Sequence, residues 1–178
     1  MKENKRGKER FYGSNKGRYA SFILEGQDFV VDLLKVKEIV NVPEDIRALP
    51  GYAEYIRGIM DYRGKPLCIV DLKKRLGFDY TEIKKYYKVM IVDIDQGMFG
   101  LLVEEVPEVI YLSNDDFSDI PEGVTKVDKN LISKIINKEG ALKLYLNVEE
   151  FINEGVLDNM RDKDNYKSLK EIVEDEMK

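Results

Sequence analysis

The sequence contains no histidine and one cysteine, Cys68, among its 178 residues. Without histidine the chain lacks the commonest general base near neutral pH, the commonest metal ligand and the phospho-acceptor of a sensor histidine kinase. A single cysteine excludes an intrachain disulfide and a cluster of thiolates around zinc. Carboxylates and lysines could still transfer protons, but these absences favour a protein that is not an enzyme and holds no metal or cofactor.

Long apolar runs are also missing. Apolar runs such as Phe29 to Val31 and Leu101 to Val103 fall far short of the roughly 20 residues that a membrane helix needs. The N-terminus carries no apolar segment of the kind found in a secretory signal. Nucleotide-binding, zinc-protease and acyl-transfer motifs are absent as well. These features predict a cytoplasmic protein that does not insert into a membrane.

Charge is distributed unevenly along the chain, whose net charge is -5. Residues 1–18 contain seven Lys or Arg and two Glu, with no apolar periodicity, which predicts a flexible basic arm. Residues 104–122 contain seven Asp or Glu and no Lys or Arg. Their spacing does not match a calcium-binding loop, so a solvated acidic loop is favoured over a cation site.

Short apolar runs separated by glycine turns dominate the middle of the chain. YASFIL and QDFVVDLL flank Glu25-Gly26, which predicts a hairpin, and Arg63-Gly64 predicts a second turn before the strand LCIVDL. Cys68 lies in that strand and is expected in the core. Leu33 to Val40 fits either a short helix or a twisted strand end, and Tyr52 to Met60 predicts a short helix ending near Gly58.

The C-terminal residues alternate apolar and charged positions at helical spacing. Val156 is followed by Leu169, Ile172, Val173 and Met177. This pattern predicts a helical tail over residues 153–178.

Four segments together are similar to the CheW-like domain. They are LLKVKEIV (33–40), ALPGYAEYIRGIMDYRGKPLCIVDLKKRLG (48–77), KVMIVDI (88–94) and MFGLLVEEVPEVIYL (98–112). The second segment is the most specific, because its leucine-proline-glycine entry, RG turn and terminal VDL and LG are in register without insertions. The resemblance covers residues 19–152.

The resemblance implies a mainly β fold. The expected architecture is CheW-like, with two small SH3-like five-stranded β-barrels, short helices and a C-terminal helix. The sub-barrels are expected to span roughly residues 19–80 and 83–148.

The family's role implies a non-enzymatic scaffold, or adaptor, that couples chemoreceptors to the histidine kinase CheA in bacterial chemotaxis. The implied partners are the regulatory domain of CheA and the cytoplasmic tip of methyl-accepting chemoreceptors. Asp61 and Tyr62 stand where the family usually has asparagine and leucine, which leaves open an adaptor of a pilus-motility or other signalling pathway. A barrel that binds nucleic acid through the basic arm is a weaker alternative, since the net charge is negative and no nucleic-acid partner is expected.

In the family, the receptor's helical hairpin tip binds a hydrophobic groove between the sub-barrels. Arg63 is expected to fix the register of that helix by pairing with an acidic residue. The two glycines carried over are expected to shape the backbone rather than contact the partner. The residues that the resemblance assigns to the groove and its support are Val36, Glu38, Ile39, Gly58, Arg63, Gly100, Val106 and Val109.

Overall fold

The computed structural model describes residues 17–79, 82–95, 97–123 and 131–152, with the backbone alone at residues 106 and 107. These residues form eleven strands and two short helices, together with two 3-10 turns at Leu33–Lys35 and Asn114–Asp116. The strands are β1 (Gly17–Leu24), β2 (Gln27–Asp32), β3 (Val36–Asn41), β4 (Ile56–Tyr62), β5 (Lys65–Asp71), β6 (Lys88–Ile94), β7 (Gly97–Val103), β8 (Glu105–Leu112), β9 (Phe117–Ser118), β10 (Ile132–Lys138) and β11 (Ala141–Leu146). The helices are α1 (Leu72–Arg75) and α2 (Val148–Phe151).

The strands form two sheets. One has six strands in the order β8-β1-β2-β11-β10-β9, and the other has five in the order β3-β6-β7-β5-β4. Pairing is antiparallel except between β2 and β11 and between β5 and β7. The predicted mainly β fold with two sheet units is confirmed, although the two-residue strand β9 gives one sheet six strands.

The expected division into sub-barrels over residues 19–80 and 83–148 is wrong. The five-stranded sheet uses the middle of the chain, from β3 to β7, and the six-stranded sheet joins the first two strands to the last four. The physical reason is long-range pairing: Ala20 in β1 pairs with Val109 in β8, and Phe29 in β2 pairs with Leu144 in β11. The chain therefore changes sheet twice, between β2 and β3 and between β7 and β8.

The predicted helix over Tyr52 to Met60 is also wrong, because β4 begins at Ile56. A register shift between Ile56 and Gly58 gives β4 an irregular side-chain pattern, which imitates helical spacing. Ile59 faces the apolar cluster between the sheets, whereas Met60 faces the cluster within the five-stranded sheet. The Leu33 to Val40 segment forms a 3-10 turn followed by β3.

Among the described residues, three hairpins turn through a residue followed by glycine, both with positive φ. They are Glu25-Gly26, Arg63-Gly64 and Glu139-Gly140, with φ between 49° and 79°. Two central residues with positive φ define the type I′ turn, whose twist matches that of paired strands. The two hairpin turns predicted from the sequence are confirmed.

The main apolar cluster joins the two sheets. It includes Ala20 and Phe29 from the six-stranded sheet and Met90 and Phe99 from the five-stranded sheet, all fully buried. A second cluster, which includes the fully buried Ile69, lies within the five-stranded sheet. Each sheet therefore contributes one face to a shared core.

Cys68 is buried in this core, as predicted, and burial raises the pKa of its thiol to about 12. We expect iodoacetamide not to modify it at pH 8 in the folded chain and to modify it fully in urea, as followed by mass spectrometry. The folded pKa lies above the ordinary value of 9.0, so this group stabilises the fold below pH 9 and loses that contribution as the pH rises towards 12. Rapid modification without urea would contradict the buried position.

The ends of the described region differ from the predicted boundaries. Gly17 and Arg18 belong to β1, so the predicted basic arm is too long by these two residues. The rest of the arm and the predicted tail helix over residues 153–178 lie outside the described residues. Within the described ranges, no helix is both long and apolar enough to cross a membrane.

Candidate protein-binding groove

Strand β3 presents two predicted groove residues to the face that packs against the other sheet. Val36 pairs with Val92 and Ile39 pairs with Met90, and both partners belong to the inter-sheet cluster. Directly paired residues point to the same side of a sheet, so Val36 and Ile39 share that face. Ile39 is nevertheless 39% exposed, because β3 is the edge strand.

Strand β8 borders the same apolar core from the six-stranded sheet. Val109 pairs with Ala20, which is buried in the inter-sheet cluster, yet Val109 is 49% exposed at the sheet edge. Tyr111 lies two residues further on the same face and is 54% exposed. The predicted residue Val106 also lies in β8, and its side chain is outside the described set. Each sheet thus ends in an edge strand with exposed apolar side chains beside the shared core.

Glu38 and Arg63 form a separate cluster on the five-stranded sheet. Arg63 Nη2 lies 2.9 Å from Glu38 Oε2, and the hydroxyl of Tyr62 donates to the same oxygen. The guanidinium carbon of Arg63 lies 5.5 Å from the centre of the Tyr62 ring. The hydrogen bond to Glu38 raises the pKa of Tyr62 above its usual value. Arg63 therefore has an acidic partner within its own chain, whereas the sequence predicted one on the receptor.

This cluster also closes the five-stranded sheet. Glu38 is in β3 and Tyr62 is in β4, which are the two edges of that sheet. A second link joins Arg47, after β3, to Ile59 in β4 through two backbone hydrogen bonds of 2.9 and 2.8 Å. The two edges are therefore held together, and Ile39 lies one residue from the seam on β3.

The glycines Gly58 and Gly100 occupy positions where no side chain fits. A Cβ on Gly58 would lie 2.1 Å from the carbonyl oxygen of Arg47, and one on Gly100 would lie 2.6 Å from Cδ1 of Ile69. Gly58 also has a φ of 142°, which side chains rarely adopt. Both glycines are buried, and their geometry fits a supporting role.

Sequence reasoning missed two residues of this region, Tyr62 and Tyr111. Tyr62 stood out only as a departure from the family pattern, and its contact with Glu38 spans 24 residues of sequence. Tyr111 could have been found from the alternation of Val109 and Tyr111 after Pro107. Alternating apolar residues on an edge strand mark one face of that strand.

The region has the chemistry of a binding surface. In the described part of the chain, no three acidic or cysteine side chains are arranged to hold a metal ion. Two residues of the acidic segment make local contacts, since Asp116 accepts from the backbone of Ser113 at 2.8 Å and Asp119 pairs with Lys134. Exposed apolar strand edges beside a fixed ion pair are suited to binding another protein. Fold and surface together define a β-rich protein-binding domain.

Comparison with known proteins identifies the family. The CheW-like domain matches residues 18–156. The chemotaxis protein CheW of Bacillus subtilis (strain 168) is 29% identical over 121 residues, which cover 68% of this chain and 77% of that protein. Protein PilI of Pseudomonas aeruginosa is 31% identical over 98 residues, or 55% of this chain and 54% of PilI.

A solved structure agrees with these matches. The scaffolding protein TtCheW from Thermoanaerobacter tengcongensis aligns with a TM-score of 0.70 and 25% identity, over 86% of this chain and 97% of that chain. The chain belongs to the CheW-like domain family. The predicted family and the predicted scaffold role in chemotaxis are confirmed.

Proposed function

We propose that the chain couples chemoreceptors to the histidine kinase CheA in the cytoplasm by binding both, without catalysing a reaction. One observation carries this proposal: Ile39 and Val109 are exposed at the edges of two different sheets, on the faces that form the shared core. Family membership supports the choice of partners.

The receptor's cytoplasmic tip is proposed to bind along these apolar edges. A helix with one apolar face can bury that face against valine and isoleucine side chains. The ion pair between Arg63 and Glu38 closes the sheet that carries Ile39, and 71% of the Arg63 side chain remains exposed. Arg63 is therefore proposed both to hold Glu38 and to present a positive charge beside the docked helix.

The regulatory domain of CheA is proposed to bind at the ends of the sheet units, away from Ile39 and Val109. Separate surfaces allow both partners to bind at once, which a coupling protein requires. The resemblance to the family implies that this kinase domain has the same fold as the chain. Binding would then join two similar β structures end to end.

Calorimetry tests the proposal directly. The purified chain is titrated into the regulatory domain of CheA from the same cell, and the complex is then titrated with a receptor-tip fragment. Saturable one-to-one binding in both steps is the expected result. If either partner fails to bind, the coupling role is wrong.

The similarity to PilI favours one alternative, an adaptor of a pilus-motility pathway. Asp61 and Tyr62, which depart from the usual family residues, both make contacts within the chain. Asp61 Oδ1 accepts from the backbone of Gly64 at 2.9 Å, and Tyr62 donates to Glu38. Titration with the kinases of both pathways would distinguish the chemotaxis role from the pilus-motility role, because the adaptor should bind its own kinase more tightly.

Replacing Arg63 by asparagine should separate its contribution to receptor binding from its contribution to the stability of the fold. Asparagine followed by glycine is favoured in a type I′ turn, so Arg63→Asn keeps the turn while losing the pair with Glu38. Because the pair is exposed, we expect the free energy of unfolding to change by less than about 1 kcal/mol. Receptor binding should weaken, as measured by calorimetry. Unchanged receptor affinity would show that Arg63 does not take part in receptor binding.

A further inference from the structure

Lys73 is a buried lysine outside the proposed groove. It lies in α1, directly after β5, and only 5% of it is exposed. Its Nζ lies 2.7 Å from Glu104 Oε1 and also pairs with Glu25 Oε1. The backbone N–H of Glu25 donates to Glu104 Oε2 at 3.3 Å. Lys73, Glu25 and Glu104 form one connected group, called the Lys73 cluster below.

The members of the Lys73 cluster come from both sheets. Lys73 is the second residue after the end of β5 in the five-stranded sheet, and Glu25 is in the turn between β1 and β2 of the six-stranded sheet. Glu104 is the single residue between β7 and β8, where the chain passes from one sheet to the other. The Lys73 cluster therefore lies where the chain crosses between the sheets.

The charge of Lys73 depends on its two partners. Burial lowers the pKa of Lys73, but the hydrogen bonds to Glu104 and Glu25 outweigh that effect and keep the pKa above its usual value. Lys73 also lines a small cleft together with Leu24, Tyr87 and Leu102. A buried ammonium ion is stable only when its partners stay within hydrogen-bonding distance, so the contact tolerates little displacement.

We propose that Lys73 is a positioning residue that fixes the start of β8 relative to the five-stranded sheet. Apolar packing between the sheets has little directional preference, whereas the Lys73 cluster has a defined geometry. β8 begins one residue after Glu104, and Val109 is five residues after Glu104. The Lys73 cluster thereby holds the Val109 edge in place relative to the Ile39 edge.

The consequence for receptor binding rests on the proposed function. A groove formed by edges of two sheets requires a constant separation between them. Lys73 contributes to receptor affinity through that separation and needs no contact with the receptor. Its role in fixing the position of β8 stands independently of which partner binds.

Spin labels on both sheets test the positioning directly. Cysteines are introduced at Asp93 in β6 and Glu108 in β8, both exposed, and the buried Cys68 remains unlabelled. Pulsed electron paramagnetic resonance then measures the distance distribution between the labels. Lys73→Met, which keeps the length of the side chain and removes its charge, should shift or broaden that distribution.

Lys143→Met is the matched control. Lys143 is also largely buried, and it pairs with Asp28 at 3.3 Å, but both residues are in the six-stranded sheet. It should leave the distance distribution unchanged. If Lys73→Met also leaves the distribution unchanged, or if both variants broaden it equally, the proposal is overturned. Should Lys73→Met fail to fold, Glu104→Gln is measured by the same criterion, because it removes one charge and keeps an acceptor oxygen.

Receptor affinity provides the second measurement. Lys73→Met should weaken binding of the receptor-tip fragment by about tenfold, whereas Lys143→Met should not change it. A changed label distance with unchanged receptor affinity would overturn the link to the groove. Failure of the unsubstituted chain to bind the receptor tip would instead refute the proposed function, while the label distances would still test the role of Lys73.

Discussion

Gly58→Ala is expected to lower the free energy of unfolding by about 3 kcal/mol or more. The added Cβ would lie 2.1 Å from the carbonyl oxygen of Arg47, and this atom is backbone that cannot rotate away. That carbonyl also accepts the hydrogen bond from Ile59, so relief of the clash would break the link between Arg47 and β4. Urea denaturation followed by circular dichroism measures the loss.

Gly64→Ala is the control for backbone strain alone. Gly64 has a φ of 79°, but a Cβ there would have nothing within 4 Å. Its expected loss is about 1 kcal/mol, the typical cost of a left-handed conformation for a residue with a Cβ. Equal losses in the two variants would contradict the close approach of Arg47. Reduced receptor binding in Gly58→Ala would reflect the damaged seam, since Gly58 itself is buried.

Val109→Asp is expected to weaken binding of the receptor tip by at least about tenfold, or ~1.4 kcal/mol. The substitution places a charge that would lose its water beneath a docked apolar helix. The free chain should remain folded, because Val109 is 49% exposed on an edge strand. Ile39→Asp should act in the same direction from the other sheet. Calorimetry with the receptor-tip fragment gives the affinity.

Leu142→Asp is the matched control for this prediction. Leu142 is 60% exposed and lies in β11, which is not an edge strand because it pairs with β2 and β10. It should leave receptor affinity unchanged. An equal loss from Leu142→Asp, or no loss from Val109→Asp, would show that the receptor binds elsewhere. The affinity for the CheA regulatory domain should be the same in Val109→Asp, Ile39→Asp and Leu142→Asp as in the unsubstituted chain.

Local features of the fold could be predicted from the sequence. Glu25-Gly26 and Arg63-Gly64 form turns because glycine accepts the positive φ that a tight hairpin requires. Gly77, with a φ of 88°, lies just after α1, where helices commonly end with a glycine in the left-handed conformation. Cys68 is buried because it lies in an uninterrupted apolar strand. Each of these features depends on residues that are close in sequence.

Features that depend on distant pairing could not be predicted. The sequence shows that Tyr19 to Leu24 forms a strand, but it does not show that this strand pairs with β8 in addition to β2. Lys73 belongs to the run Lys73-Lys74-Arg75, which has the composition of a solvated helix face. Its burial depends on Glu25 and Glu104, which are 48 and 31 positions away in the numbering.

Only part of the candidate site could be predicted, because some of its contacts also join residues that are distant in sequence. The family resemblance brought Val36, Glu38, Ile39 and Arg63 forward, and the structure places all four in or beside the five-stranded sheet. Neither resemblance nor periodicity indicated that Glu38 would be the partner of Arg63. That pairing follows from closure of the sheet, which brings residues 25 positions apart within 2.9 Å.

The interleaved order of the strands has a consequence for synthesis on the ribosome. The five-stranded sheet has all its strands once residue 103 has emerged, whereas the hairpin of β1 and β2, made first, must wait for β8 and then β11. This early hairpin is thus among the last elements to complete its pairing, and β2 leaves its outer edge unpaired during that interval. A chaperone that shields this early hairpin would therefore protect the chain during translation, although the finished fold has no such need.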